Sequence, residues 1–449
     1  MDDFIRAAQG VCYGATNEER CSSEVKMTLI IEQPGALDAF LDGLYTTEDT
    51  VFFFICLGLQ RIFWKRFGQL DQNQQSRVIH VLSECLTIRG AGINIGHGSN
   101  LQAFARRKLE QVMACVCAQL GTLFPVVNVL QTLSSGHKSG ALSSDIDSEA
   151  EMRRLVSSLS LLRTILEETL NLADPRLTPQ QLQAAQVAAE GMVIPATSLA
   201  CSTIQRFMGN LQDASTECGI AASSARQHHI ALISLSIDTL KVILAKLPIG
   251  PHISTDVLHL LFALARVGAR LDTQLEVLAN SALECLQELM AKRFVPSNGL
   301  LFLATNASNL LTDYRAACKP DTSPRCLPAM LDFICSFSIT HVARCMQLQS
   351  PEPGQPDGPG AVFQIVQEMA QLSQQCREPE VLVKLTEVWA ELLEVDAVRG
   401  YMVGDLGTTT APQLADSDKL ELTKHFLYGS MCSHNAALAE VSLIQRSFL

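Results

Sequence analysis

The chain has 449 residues, with 34 Lys and Arg against 46 Asp and Glu and a formal net charge of −12 at pH 7. That balance repels a phosphate backbone unless basic residues are clustered, and the sequence holds no such cluster, so nucleic acid is excluded as a direct partner. The length exceeds what one compact core takes and calls for several domains or an extended repeat array.

The start, MDDFIRAAQG, is acidic and lacks the basic region and long apolar run of a signal peptide, which points to the cytosol or nucleus. The fifteen cysteines are scattered among apolar neighbours, as in SECLTI and LECLQELM, and read as small core residues of a reducing compartment. Asn306-Ala307-Ser308 matches a glycosylation sequon without a secretory context to use it. Nearly every segment repeats its apolar residues at period 3.6 and none alternates, so the fold class is all-α.

In chain order, helices are expected to begin near Asp2, near Asn17, just after Pro34, at Thr47, near Asp71 and at Asn100, with Gly, Pro or short polar links between them. The most apolar passage runs from Val51 to Phe67. Its uninterrupted part ends at Leu59, short of the roughly 20 residues that span a bilayer. At helical period Phe52, Cys56, Leu59 and Phe63 share one face, and Phe53, Leu57, Trp64 and Phe67 a second, which predicts a helix packed on two sides. Two elements with their links take about 40 residues, close to the roughly 40 to 47 of a HEAT-type helical pair, so a right-handed α-solenoid is expected. Polar or Pro/Gly interruptions at 134–147, 349–361 and 400–418 divide it into repeats at 1–133, 148–348 and 361–449. The run ends at LIQRSFL still in a helical pattern, without a polar capping helix, as a longer solenoid cut short would.

Motifs that could carry chemistry reduce to packing. Gly90, Gly92, Gly96 and Gly98 follow a helix, not a strand, and miss the dinucleotide spacing. GHKSG near 136 lacks the Gly-Lys-Ser/Thr order of a phosphate loop. His341 and Cys345 stand at i and i+4 but have no second pair to complete a zinc site, and read as a buried Cys beside a partly exposed His. Cys115 and Cys117 point away from each other on a helix. Glu167 and Glu168 also diverge, one expected in solvent and the other paired to a neighbouring helix. No catalytic set, metal site or cofactor site is expected.

The order of these features resembles the N-terminal region of nuclear transport receptors of the importin-β (karyopherin) superfamily. DDFIRAAQGVCYGATNEERCSSEVKMTLI looks like their opening helical pair. PGALDAFLDGLYTTEDTVFFFICLGLQRIFWKRFGQLDQNQQSRVIHVL is similar to the exportins' Pro-initiated helix, Phe-rich helix ending at Trp, and Arg-bearing helix. LQAFARRKLEQVMACVCAQLGTLFPVV and SLSLLRTILEETLN match their next helices, and SALECLQELMAKRFVPSNGLLFL resembles the exportins that carry profilin–actin. The resemblance covers about residues 1–395. It implies a non-enzymatic receptor that binds the GTPase Ran in its GTP form, a protein cargo such as profilin–actin, and nuclear pore proteins, shuttling between nucleus and cytoplasm without inserting into membrane. The first repeats would face Ran.

Two inner helices are expected within them. In PGALDAFLDGL, Leu37, Phe40, Leu41 and Leu44 pack and leave Asp38 and Asp42 outside; in QSRVIHVLSECL, Val78, Val81, Leu82 and Cys85 pack and leave Arg77, His80 and Glu84 outside. Those five polar residues are the candidate Ran-facing set, with an ordinary solvated face as the alternative. The alternative function is a Ran-independent cytoplasmic helical-repeat scaffold or adaptor.

Overall fold

A computed structural model describes residues 2–46, 48–90, 101–135, 145–170, 176–213, 220–247, 254–270, 273–292, 295–319, 323–349 and 357–403. Among the described residues the protein is all-helical, with no strand, and its helices pack in pairs. It forms two compact units, residues 1–200 and 201–449.

The N-terminal unit opens with α1 (Asp2–Tyr13) and α2 (Asn17–Glu32), which pack together. α2 starts on a capping box in which Thr16 Oγ1 accepts from Glu19 N and the Glu19 carboxylate accepts from Thr16 N. After Pro34, Gly35 adopts φ 80°, a left-handed conformation that favours glycine, and α3 (Ala36–Gly43) follows. α4 (Asp49–Arg66) comes next, then α5 (Gln72–Cys85), begun by a second box between Asp71 and Gln74. The remaining helices are α6 (Ala103–Leu120), α7 (Phe124–Ser135), α8 (Asp145–Leu170) and the part of α9 (Pro179–Asp213) up to Ala200. Thr47 and Asn100, the expected starts of two helices, lie outside the described residues.

The α4 helix is packed on two sides, but its second buried face is not the expected one. Phe52, Cys56, Leu59 and Phe63 are buried as read from the sequence, together with Phe54, Ile55, Gly58 and Ile62. Phe53, Leu57 and Trp64 are only half-buried, and of the predicted second face Phe67 alone is fully enclosed. The physical reason is a near approach of two helices. α3 closes on Gly58, where Phe40 fills the space a side chain would take, so the arc beside Gly58 is the covered one.

The C-terminal unit contains α10 (Ile220–Lys246), α11 (Thr255–Val267), α12 (Thr273–Met290), α13 (Ser297–Ala317), α14 (Leu327–Cys345), α15 (Gly358–Gln375), α16 (Pro379–Leu393) and α17 (Asp396–Val403). Its helices form two rows. α10, α12, α14 and α16 each touch the next along one row, and α11, α13 and α15 do so along the other. α4, α6 and α8 form a comparable row in the N-terminal unit.

Polar clamps join every second helix, within these rows and also between α3 and α5. Arg77 to Asp38 spans 39 residues, Arg107 to Glu167 spans 60, Lys241 to Glu284 spans 43 and Arg315 to Glu368 spans 53. Tyr314, fully buried, donates its hydroxyl to the Ala265 carbonyl 49 residues earlier at 3.0 Å. Each clamp therefore ties one helix to the second helix before or after it in sequence, as stacked helical pairs require.

The three interruptions expected in the sequence fall largely on residues 136–144, 350–356 and 404–418, outside the described residues, as does the rest of the chain from 419 on. The described end of the Pro/Gly tract is not linker. Asp357 caps α15 by accepting from Gly360 N at 2.7 Å, Pro359 sits in the first turn, and Gly358 N donates to the Leu348 carbonyl at 3.0 Å. A Cβ on Gly358 would stand 1.8 Å from the Cys345 carbonyl oxygen, so the glycine permits α15 to start directly against the end of α14.

Candidate protein-interaction surface

The five candidate residues sit on α3 and α5. Phe40, Leu41 and Leu44 of the first segment are buried, and so are Val78, Val81, Leu82 and Cys85 of α5. Leu37 is half-buried instead, its expected place in the core being taken by Ala36. Asp38, Asp42, Arg77 and His80 are exposed and Glu84 is half-buried.

The structure brings three of the five together across the two helices and ties a fourth, Glu84, to Tyr45 just after α3. Arg77 Nη1 lies 2.5 Å from Asp38 Oδ1 and Nη2 lies 3.5 Å from Asp42 Oδ1, so one guanidinium bridges two carboxylates a turn apart. Glu84 Oε2 accepts the Tyr45 hydroxyl at 3.0 Å. Partial burial, then the bond to Glu84, pushes the Tyr45 phenol above its ordinary value. His80, between Arg77 and Glu84 along α5, has no bonded partner among the described residues. Below this ladder Arg89 Nη1 donates to the Leu44 carbonyl at 2.5 Å and stacks 4.7 Å over the Phe52 ring, which anchors the end of α3 on α4.

The patch therefore carries three carboxylates and one guanidinium, which pairs with two of them, and the surface is acidic. Its ion pairs are more than half exposed, so each contributes roughly 0 to 1 kcal/mol to stability and is weakened by salt. The patch can present hydrogen-bond acceptors to a basic or donor-rich protein surface. It has no nucleophile activated by a base, and among the described residues no group of three or more His, Cys, Asp or Glu is placed to hold a metal ion.

Other polar residues behave differently from the sequence reading. His341 is fully buried, not partly exposed, and beside the Met290 backbone neither ring nitrogen reaches a hydrogen-bonding geometry. Glu167 and Glu168 both reach α6, the first through Arg107 at 3.0 Å and the second through Gln111 Nε2 at 3.0 Å, because α6 packs along that side of α8. Cys115 and Cys117 are both buried, and desolvation pushes the Cys117 thiol up to about 12. The glycine run after Gly90 and the GHKSG segment lie outside the described residues.

Glu110 went unnoticed in the sequence. It is 1% exposed on α6 and accepts hydroxyls from Ser160 at 2.9 Å and Thr164 at 2.8 Å on α8, with Arg106 Nε at 3.8 Å. Burial raises its pKa, opposed by Arg106 and the two hydroxyls. The visible signal was the i, i+4 spacing of Arg106 and Glu110 within an otherwise apolar helix. A hollow of about 530 Å³ lies between α7, α8 and α9, lined by Val127, Leu130, Leu155, Leu162 and Met192, with Arg154 at its side. The buried Arg154 Nε has no hydrogen-bond partner.

Two stretches, Pro179–Gly209 and Arg226–Lys246, are long and apolar enough by length and composition to cross a membrane. Core helices pass the same test, and Arg226–Lys246 docks on α12 with its Lys241 2.6 Å from Glu284. Compared with known proteins, the chain matches no family model and no curated sequence.

Proposed function

We propose that this chain is a non-enzymatic, exportin-like receptor, a right-handed HEAT-type α-solenoid that binds Ran in its GTP form together with a protein cargo. The observation that supports it best is that side-chain clamps join every second helix, and that two of them, Arg77 to Asp38 at 39 residues and Lys241 to Glu284 at 43, come close to the roughly 40 to 47 residues of a HEAT-type helical pair. The ordered resemblance over residues 1–395 supplies the family. In this reading Asp38, Asp42, Arg77, His80 and Glu84 form part of the Ran-facing surface, the cargo is of the profilin–actin kind, and the receptor shuttles past pore proteins between nucleus and cytoplasm.

A second reading, a Ran-independent scaffold, is favoured by the same ladder. Arg77 is already held by two carboxylates and Glu84 by Tyr45, so these side chains serve the α3–α5 contact without any partner. The experiment that separates the two compares binding of Ran loaded with a non-hydrolysable GTP analogue or with GDP. His80→Ala and Arg77→Gln change the surface and remove at most weak, exposed pairs, so both proteins are expected to stay folded. Selective binding of the GTP form, weakened by both changes, is the expected result. Equal binding of the two forms rejects the receptor; selective binding that neither variant alters keeps the receptor and discards this surface.

A further inference from the structure

In the C-terminal unit, two neighbouring helices of one row end on cysteines. Cys318 follows the last residue of α13 and Cys376 follows the last residue of α15, each in extended backbone, and α13 and α15 pack side by side. The Cys376 thiol donates to Cys318 Sγ at 3.8 Å, between residues 58 apart in sequence. Cys376 is 3% exposed, whereas Cys318 is only half-buried and can be reached from solvent.

We propose that Cys318 and Cys376 are a hydroperoxide-reactive dithiol that closes to a disulfide stapling the end of α13 to the end of α15. Geometry favours closure, since the sulfurs need approach by only about 1.8 Å to reach the ~2.05 Å of a disulfide. The reactive form of a cysteine is the thiolate, and the surroundings divide the two roles. The hydrogen bond from Cys376 holds the Cys318 thiol below its ordinary value, burial and Glu378 oppose it, and Arg315 assists. The same bond, with burial, pushes the Cys376 thiol up, so Cys376 keeps its proton. The competing charges are partly engaged: Arg315 pairs with Glu368 at 2.5 Å, and Glu378 accepts from Ser323 N at 2.9 Å and Ser323 Oγ at 2.8 Å.

The chemistry has two steps. The Cys318 thiolate attacks one oxygen of the hydroperoxide, the O–O bond breaks, and the sulfur becomes a sulfenic acid while hydroxide or alkoxide leaves. The Cys376 sulfur then attacks the Cys318 sulfur, the S–O bond breaks, and the thiol proton leaves with that oxygen as water. Peroxide is reduced, two thiols are oxidised, and a dithiol reductant reverses the change.

The test uses the full wild-type chain. After brief exposure to hydrogen peroxide and alkylation of remaining thiols, peptide mapping without reductant should recover Cys318 linked to Cys376, lighter by the two lost hydrogens and released by dithiothreitol. In Cys376→Ser, Cys318 should accumulate as sulfenic acid trapped by dimedone; in Cys318→Ser, Cys376 should be alkylated only after unfolding. Should either variant fail to fold, the wild-type map decides alone. Recovery of both cysteines alkylated while exposed Cys12 or Cys21 is oxidised overturns the proposal, and so does Cys318 overoxidised beside an intact Cys376.

Discussion

Gly58→Ala sets two rules against each other. In an exposed helix interior this change stabilises by about 0.8 to 1 kcal/mol, because alanine has less backbone freedom to lose. Gly58 is buried in α4, where an added Cβ would stand 2.1 Å from Phe40 Cε1 and 2.8 Å from Cδ1 and Cζ. Phe40 has little room to retreat, being 1% exposed and held edge-on by Phe4 with ring centroids 4.5 Å apart. Overpacking of this kind costs about 1 to 3 kcal/mol, and a clash with a whole ring belongs in the upper half of that range. The net expectation is a loss of roughly 1 to 2 kcal/mol despite the better helix former. Urea unfolding in a Trp389→Phe background leaves Trp64 of α4 as the single reporter of the N-terminal unit. Adding Phe40→Leu to Gly58→Ala should recover part of the loss, with a coupling of about 0.5 to 3 kcal/mol. A neutral or stabilising Gly58→Ala, or strict additivity in the double variant, refutes the close approach of α3 to α4.

Phe63→Ala, at a fully buried position edge-on to Phe67 at 5.7 Å, should cost about 3 to 5 kcal/mol. Phe53→Ala should cost clearly less, because Phe53 is half-buried; similar midpoints for the two in the same urea assay would contradict the orientation of α4. For His341, burial first and then Arg344 lower the folded pKa from 6.5, so below that value the unfolded chain binds the proton more readily and stability falls as the pH drops. His341→Leu should flatten the urea midpoint between about pH 7.5 and pH 5.5, and an unchanged slope would show that His341 is not the group responsible.

The local signals in the sequence were the reliable ones. The starts expected near Asn17 and Asp71 are those of α2 and α5, each fixed by a capping box within four adjacent residues, Thr16 with Glu19 and Asp71 with Gln74. The buried set of α5 follows from its period alone, since a helix with one apolar stripe has one way to face a core. α4 carries apolar residues around most of its circumference, and the choice between Phe53 and Phe54 as a core residue is made by α3 and α6, not by α4. The pairing of Arg77 with Asp38 and Asp42 was illegible for the same reason, as only the stacking of helices 39 residues apart creates it. Glu110 was missed and His341 misread because burial of a polar side chain is decided by the neighbour that covers it, α8 in the first case.

The α3–α5 ladder is at once a clamp and a surface, and that has a thermodynamic consequence. Arg77 can serve a partner's carboxylate only by releasing Asp38 or Asp42, and either aspartate can serve a basic partner only by releasing Arg77. Because the pairs are exposed, each release costs at most about 1 kcal/mol, which a modest interface can supply. Arg89 on the Leu44 carbonyl and Tyr45 on Glu84 would still hold α3 near α5 after the exchange. A partner bound here would therefore loosen one edge of this helix contact without dismantling it, and any change in the spacing of α3 and α5 would in turn alter the partner's affinity by the same free energy. Where each helix packs mainly on its neighbours, such an exchange is a local route by which occupancy of the α3–α5 surface can be felt by the helices packed against it.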